Sequence, residues 1–157
     1  MKDIPQQPGP AGLSIEKSID RQTPLSVGNP NACLRFRFNL FDAKGPGKLL
    51  DPKLSKNKSK NLLTSLLERL SGLETMTATE VFTPGESVGI VYRVEDLPTP
   101  ESRRRLEELE LDDATEIARV AVGNLARLYG LLSDDRTEFF VLWWDHSHKV
   151  YPSTKWQ

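Results

Sequence analysis

"TEIARVAVGNLARLYGLLSDDRTEFFVLWWD", residues 115–145, decides the fold. "TEIARVAV", "ARLYGLL" and "EFFVLWW" are three runs dominated by β-branched, aromatic and leucine side chains, the residue types that fit a pleated surface. "GN" and "SDDRT" separate them, spacings that antiparallel hairpins allow. The chain is therefore expected to end in a β-meander. "DHSHKVYP", residues 145–152, follows at once, so the last strand is expected to leave the core at Asp145, turn or bulge, and resume as an edge segment ended by Pro152.

Working backwards, "SVGIVYRV" (87–94) has strand composition and prolines on both sides. "LPTPESRRRLEELELDD" (97–113) has the start signals of a helix: Thr99 as N-cap, Pro100 at the first position and Glu101 in the first turn. Its apolar content is thin, and it is expected to be mobile or ordered by a partner. "SKNLLTSLLERLSGL" (59–73) carries Leu62, Leu63, Leu66, Leu67, Leu70 and Leu73 at helical spacing, a stripe expected to face the core, with Gly72 near its end. Thr77 and Glu80 in "MTATEVF" have the spacing of a capping box for a short second helix. In "ACLRFRFNLF" (32–41), Leu34, Phe36, Phe38 and Leu40 alternate with Cys33, Arg35, Arg37 and Asn39, the pattern of a half-buried strand. Strand, long helix, short helix and then strands define an α+β class with an expected antiparallel sheet.

Residues 1–31 ("PQQPGP", "TPLSVGNP") have few large apolar side chains and no periodicity, so a tail that buries little is expected there. Residues 32–157 are expected to form one domain, with an acidic helical insertion at about 99–112, and 157 residues at 38% hydrophobic suit a real core. The lone Cys33 cannot form an intramolecular disulfide, and no Cys/His cluster has zinc-ligand spacing, so neither a cofactor nor a metal is invoked. No signal-peptide core or membrane-length apolar run is present, which makes the cytoplasm the expected compartment and leaves a membrane partner unexpected.

The net charge of −1 hides an asymmetry: residues 33–70 hold nine Lys/Arg against three Asp/Glu, and residues 95–116 hold three against nine. A polyanion would be drawn to the first segment and repelled by the second. The overall balance gives no general support for nucleic-acid binding, and DNA is not expected as a partner.

His146 and His148 are the chain's only histidines. In an extended chain they would share one face. Arg127 and Tyr129 share one face of the preceding strand, so closing the hairpin across "SDDRT" would gather an arginine, a tyrosine and one or two histidines at the sheet's rim. That inventory suits metal-free phosphodiester cleavage. A histidine removes the proton from a 2′-hydroxyl, an arginine stabilises the pentacovalent oxyanion, and a second His, a Tyr or a Lys protonates the departing 5′-oxygen. Arg127, His146, His148 and Tyr151 are the candidate catalytic residues, and Arg35, Arg37, Lys56, Lys58 and Lys149 the candidate RNA contacts. Structural roles stay open for the same side chains: turn capping by the histidines, an Arg127 ion pair with Asp145, and half-buried tyrosines whose hydroxyls reach water.

The stretch "ARLYGLLSDDRTEFFVLWWDHSHKVYP" is similar to the ending of a group of small uncharacterised bacterial proteins, read as G-R-h-h-G-F, a short turn, then F-h-V-h-W-h-D-x-x-H-x-h-Y-P with h apolar. Arg127, Gly130, Phe139, Val141, Trp143, Asp145, His148, Tyr151 and Pro152 match, and the similarity covers roughly residues 34–82 and 117–152. The order of elements further resembles RelE-type toxins of bacterial toxin–antitoxin pairs. That resemblance implies a metal-independent endoribonuclease acting on mRNA at the ribosome, held in check by an antitoxin protein, with Arg127, His148 and Tyr151 as counterparts of the cutting residues. The alternative from another class is a non-enzymatic interaction module, a bacterial or phage accessory protein whose sheet edge or acidic helix binds a partner protein.

Overall fold

The computed structural model describes residues 31–46, 56–85, 88–123, 125–146 and 149–152. The N-terminal segment 1–30 and its expected tail lie outside them. Five strands, β1 (Arg35–Arg37), β2 (Gly89–Arg93), β3 (Glu116–Val122), β4 (Ala126–Leu132) and β5 (Glu138–Asp145), form one sheet in the order β1-β5-β4-β3-β2. Three α-helices accompany it, α1 (Lys56–Leu73), α2 (Ala78–Val81) and α3 (Pro100–Glu108), so the α+β class holds.

The meander is present: β2, β3, β4 and β5 pair antiparallel in sequence order. β1 departs from the expected antiparallel arrangement, because it pairs parallel to β5, Phe36 opposite Phe139. The whole chain from α1 to β4 lies between these two strands, and α1 and α2 carry it to the opposite edge of the sheet, so the long connection that a parallel neighbour requires is present. Only three residues of "ACLRFRFNLF" remain in the strand, and Phe38 beyond its end is 56% exposed.

Helices cover both faces of the sheet. On the first face Leu34, Val120, Leu128, Phe139, Val141 and Trp144 pack under α1 and α2 through Leu70, Leu73 and Val81. On the second, Ile117, Tyr129, Phe140, Leu142 and Trp143 pack under Leu106 of α3, with Leu97, Leu111 and Val150. This two-sided cover explains why Phe139–Trp144 is continuously apolar: alternation is expected only where one face is wet. Trp143 and Trp144 are consequently both buried, one in each core.

Register adds a second effect. Tyr129 pairs with Trp143 and Gly130 with Val141, so Leu142 is an extra residue on β5. This bulge puts Leu142 and Trp143 in the same core, and it carries Asp145 onto the second face opposite Arg127. Gly130 sits at the irregularity, where a Cβ would lie 2.3 Å from the carbonyl oxygen of Phe140.

The capping box at α2 is complete: the Glu80 amide donates to the Thr77 hydroxyl at 3.3 Å, and the Thr77 amide to the Glu80 carboxylate at 2.9 Å. α3 corrects the expectation of a loosely held insertion. Leu106 is 1% exposed, and Arg105 grips the buried carboxylate of Asp42 through Nε and Nη2, both at 2.8 Å. Few apolar residues suffice here because one leucine, flanked by Leu97 and Leu111, reaches the core while an ion pair clamps the helix end.

The leucine stripe of α1 also divides. Leu70 and Leu73 are buried and Leu62 and Leu66 half-buried, whereas Leu63 and Leu67 are 56% and 58% exposed. Six leucines make a stripe wider than the contact one helix makes with the sheet. Accordingly Leu73→Ala is expected to destabilise by about 2–5 kcal/mol, and Leu67→Ala by under about 0.5 kcal/mol, the usual range for surface changes. Urea denaturation of the two variants checks this, and equal losses would overturn the division.

Candidate functional site

Three adjacent strands build a polar cluster into the second face. Arg119 of β3 pairs directly with Tyr129 of β4, Ala121 with Arg127, and Arg127 with Asp145 of β5. Arg119 and Arg127 are thus diagonal neighbours with Tyr129 beside both, a separation of about 7–8 Å between their backbones. Tyr92 of β2 completes the group, with the Arg119 guanidinium 6.0 Å from its ring centre. Tyr151 stacks on Tyr92 at 4.6 Å between ring centres, which brings the chain after β5 back over the sheet.

Asp145 directs that return. Its carboxylate is fully buried and accepts the backbone amides of Lys149 at 2.9 Å and Val150 at 2.8 Å. Val150 is buried in the second core as a result, and Tyr151 follows it onto Tyr92. One carboxylate therefore shapes the turn that the sequence marks with two histidines.

The donors of this cluster are undersatisfied. Nε of Arg119, Nε of Arg127 and the hydroxyl of Tyr129 are buried and have no hydrogen-bond partner among the described residues. The Arg127 guanidinium does reach the Ala126 carbonyl at 2.8 Å through Nη1. Arg119 is 8% exposed and Tyr129 0%, while Arg127, Tyr92 and Tyr151 are half-buried and form the open side. Burial, and after it the nearby positive charge of Arg119, pushes the Arg127 guanidinium below its ordinary value. Burial, reinforced by the Asp145 charge, pushes the Tyr129 hydroxyl up, so it is a protonated donor at neutral pH. Burial likewise raises Tyr92, opposed by Arg119.

The expected site residues are distributed as follows. Arg127 and Tyr151 are brought to this cluster, Lys149 is exposed at its border, and His146 is buried directly after Asp145. His148 lies outside the described residues. Arg35 and Arg37 stand elsewhere: Arg35 pairs with Glu138 at the start of β5, seven residues or roughly 23 Å along the strand from Asp145. Arg37 is also tied to Glu138 by an ion pair of 2.7 Å. Lys58 is exposed on α1, the helix over the first face, and Lys56 begins that helix. Arg35, Arg37, Lys56 and Lys58 thus lie apart from the Arg127 cluster.

Arg119 and Tyr92 are members that sequence reasoning missed. The available signal was the single charge inside the otherwise apolar "IARVAV" (117–122), since a charge in the middle of a covered strand is rarely buried without a role or a partner. A cavity of about 320 Å³ lies at the opposite end of the sheet, beside Asp113, Glu116, Asp134 and Arg136. Its carboxylates suit a phosphodiester poorly, so the arginine cluster is the better candidate. Among the described residues no helix is long and apolar enough to cross a membrane. Comparison with protein-family models, with curated proteins and with solved structures gives no match.

Proposed function

We propose that the chain is a RelE-like endoribonuclease of a bacterial toxin–antitoxin pair, cutting RNA at the end of the β4–β5 hairpin. The observation that carries this reading is the placement of Arg127 beside Tyr129, at the point where the His146–Tyr151 segment leaves and rejoins the sheet. In this scheme Arg127 stabilises the pentacovalent oxyanion, His148 or His146 takes the 2′-hydroxyl proton, and Tyr151 or Lys149 serves the leaving oxygen. Arg35, Arg37, Lys56 and Lys58 would then engage RNA away from the cut, or the ribosome itself. The resemblance in element order adds to the reading at the level of fold analogy alone.

Single-turnover cleavage of ribosome-bound and free RNA tests it. Arg127→Ala is expected to lower the rate by about 10²–10³-fold, the usual loss for one oxyanion donor. His148→Ala is expected to lose about 10²–10⁴-fold as a general base. Circular dichroism of each variant should match wild type. Full activity in the Arg127 variant would exclude its assigned role.

A second reading is favoured by a different observation. Leu63 and Leu67 stand one turn apart on the outer side of α1, both more than half exposed. An interaction module would use such a pair to seat a partner protein. Absence of cleavage by wild type on both substrates, together with loss of binding to a genomically neighbouring protein on Leu63→Asp/Leu67→Asp substitution, would select this reading.

A further inference from the structure

We propose that Arg119, Arg127 and Tyr129 form a binding site for a phosphate group. The first reason is charge. At this end of the sheet the guanidiniums of Arg119 and Arg127 stand with one carboxylate, Asp145, whose oxygens already accept the amides of Lys149 and Val150, while the other carboxylate on this face, Asp42, is paired with Arg105. One positive charge is left over. Arginine does not shed its proton in proteins, so the repulsion between the pair cannot be relieved by titration as it could for lysine. An anion relieves it.

The second reason is the unused donors. Buried polar groups are satisfied almost without exception, because a buried N–H or O–H left alone has lost its hydration with nothing in return. Here the three side chains with unpartnered buried atoms are neighbours on adjacent strands, one face and one end of the sheet. A cluster of that kind, two guanidinium N–H groups and a hydroxyl that can donate, is complementary to a group rich in acceptors. Three donors arriving from two strands match the several oxygens of a tetrahedral phosphate better than the two of a carboxylate, and arginine is suited to phosphate recognition. The half-buried Arg127, Tyr92 and Tyr151 are the members of the cluster that solvent reaches.

The site deepens the proposed RNA-cleaving reading by adding Arg119 and Tyr129 to the phosphate contacts, and it rests on that reading only for what bears the phosphate. Two arms separate them. In the first, the full chain is titrated with millimolar inorganic phosphate against chloride at matched ionic strength, followed by melting temperature and by calorimetry. Wild type is expected to gain about 5 °C or more when phosphate is about a hundredfold above its Kd. Arg119→Met should abolish the gain, and Tyr129→Phe should weaken phosphate binding about tenfold, as loss of a hydrogen bond to a charged group does. Tyr129→Phe removes one oxygen from a buried ring, so it also tests the site if the Arg119 variant fails to fold. In the second arm, a short single-stranded RNA replaces phosphate and cleavage is followed.

Phosphate binding that Arg119→Met or Tyr129→Phe diminishes, with no RNA cleavage, supports the site and removes the ribonuclease reading. RNA cleavage with no phosphate-specific stabilisation of wild type overturns the site and leaves the ribonuclease reading standing. Equal phosphate stabilisation in wild type and Tyr129→Phe also overturns it.

Discussion

Asp42→Ala is expected to destabilise the fold by about 3–5 kcal/mol, the range for breaking a buried ion pair by removing one partner. The carboxylate is 8% exposed and accepts from Arg105 through Nε and Nη2 at 2.8 Å each, from Trp143 Nε1 at 2.9 Å and from the Lys44 amide at 3.1 Å. Its loss strands an indole N–H and a backbone amide together and leaves Arg105 with Glu108 as its remaining carboxylate partner. It also frees α3 from the loop after β1, because the Asp42–Arg105 pair joins residues 63 positions apart. By contrast Arg136→Ala, which breaks the exposed pair with Glu116, is expected to cost under about 1 kcal/mol. Urea denaturation of both variants checks the order, and equal costs would deny the Asp42 cluster its structural role.

The same group gives a pH dependence. Burial works to raise the Asp42 carboxyl, but hydrogen bonds from Arg105 and Trp143 outweigh it and hold the group below its ordinary value of 3.8. A carboxylate depressed in the folded state contributes stability that is fully present above its unfolded value and is lost as pH falls through its folded value. The stability difference between wild type and Asp42→Asn should therefore be largest near neutrality and shrink below about pH 4. A difference that grows on acidification would reverse the assigned sign.

Phe139→Ala is the second large effect, expected to cost about 3–5 kcal/mol as a fully buried aromatic deletion. The ring meets Phe36 at 5.2 Å and Phe82 at 6.4 Å between centres, linking the edge strand β1 and the end of α2 to the sheet. Its edge also fills the space above Gly130, where a Cβ would come within 2.4 Å of it. The closest atom to that Cβ is nevertheless the Phe140 carbonyl oxygen at 2.3 Å, which is backbone and cannot rotate away. Gly130→Ala should thus destabilise wild type by about 1–3 kcal/mol through overpacking, and the Phe139→Ala background should not rescue it. Rescue in urea denaturation of the double variant would show that the ring alone demands the glycine.

The elements whose formation depends on near neighbours in the chain were legible in the sequence. The three meander strands, the α1 helix, the Thr77–Glu80 capping box and the Thr99–Pro100 start of α3 are each encoded by patterns a few residues long. Arg127 and Tyr129 were legible as cluster members for the same reason, since they follow from alternation and hairpin closure, whereas Tyr151 reaches the cluster through the amides that Asp145 holds. What reached across the chain was decided by tertiary structure alone. β1 turned parallel because α1 and α2 carry the chain to the far edge and three antiparallel pairings then bring β5 back beside β1, and the second face was covered because Asp42 recruits α3 from far along the sequence. The bulge at Leu142 moved Asp145 opposite Arg127, and strand pairing set Arg119 of β3 beside Tyr129 of β4. A local pattern carries the period of an element but not the identity of the chain that will lie against it. For that reason the buried arginine pair, whose members are adjacent only through the sheet, emerged with the fold.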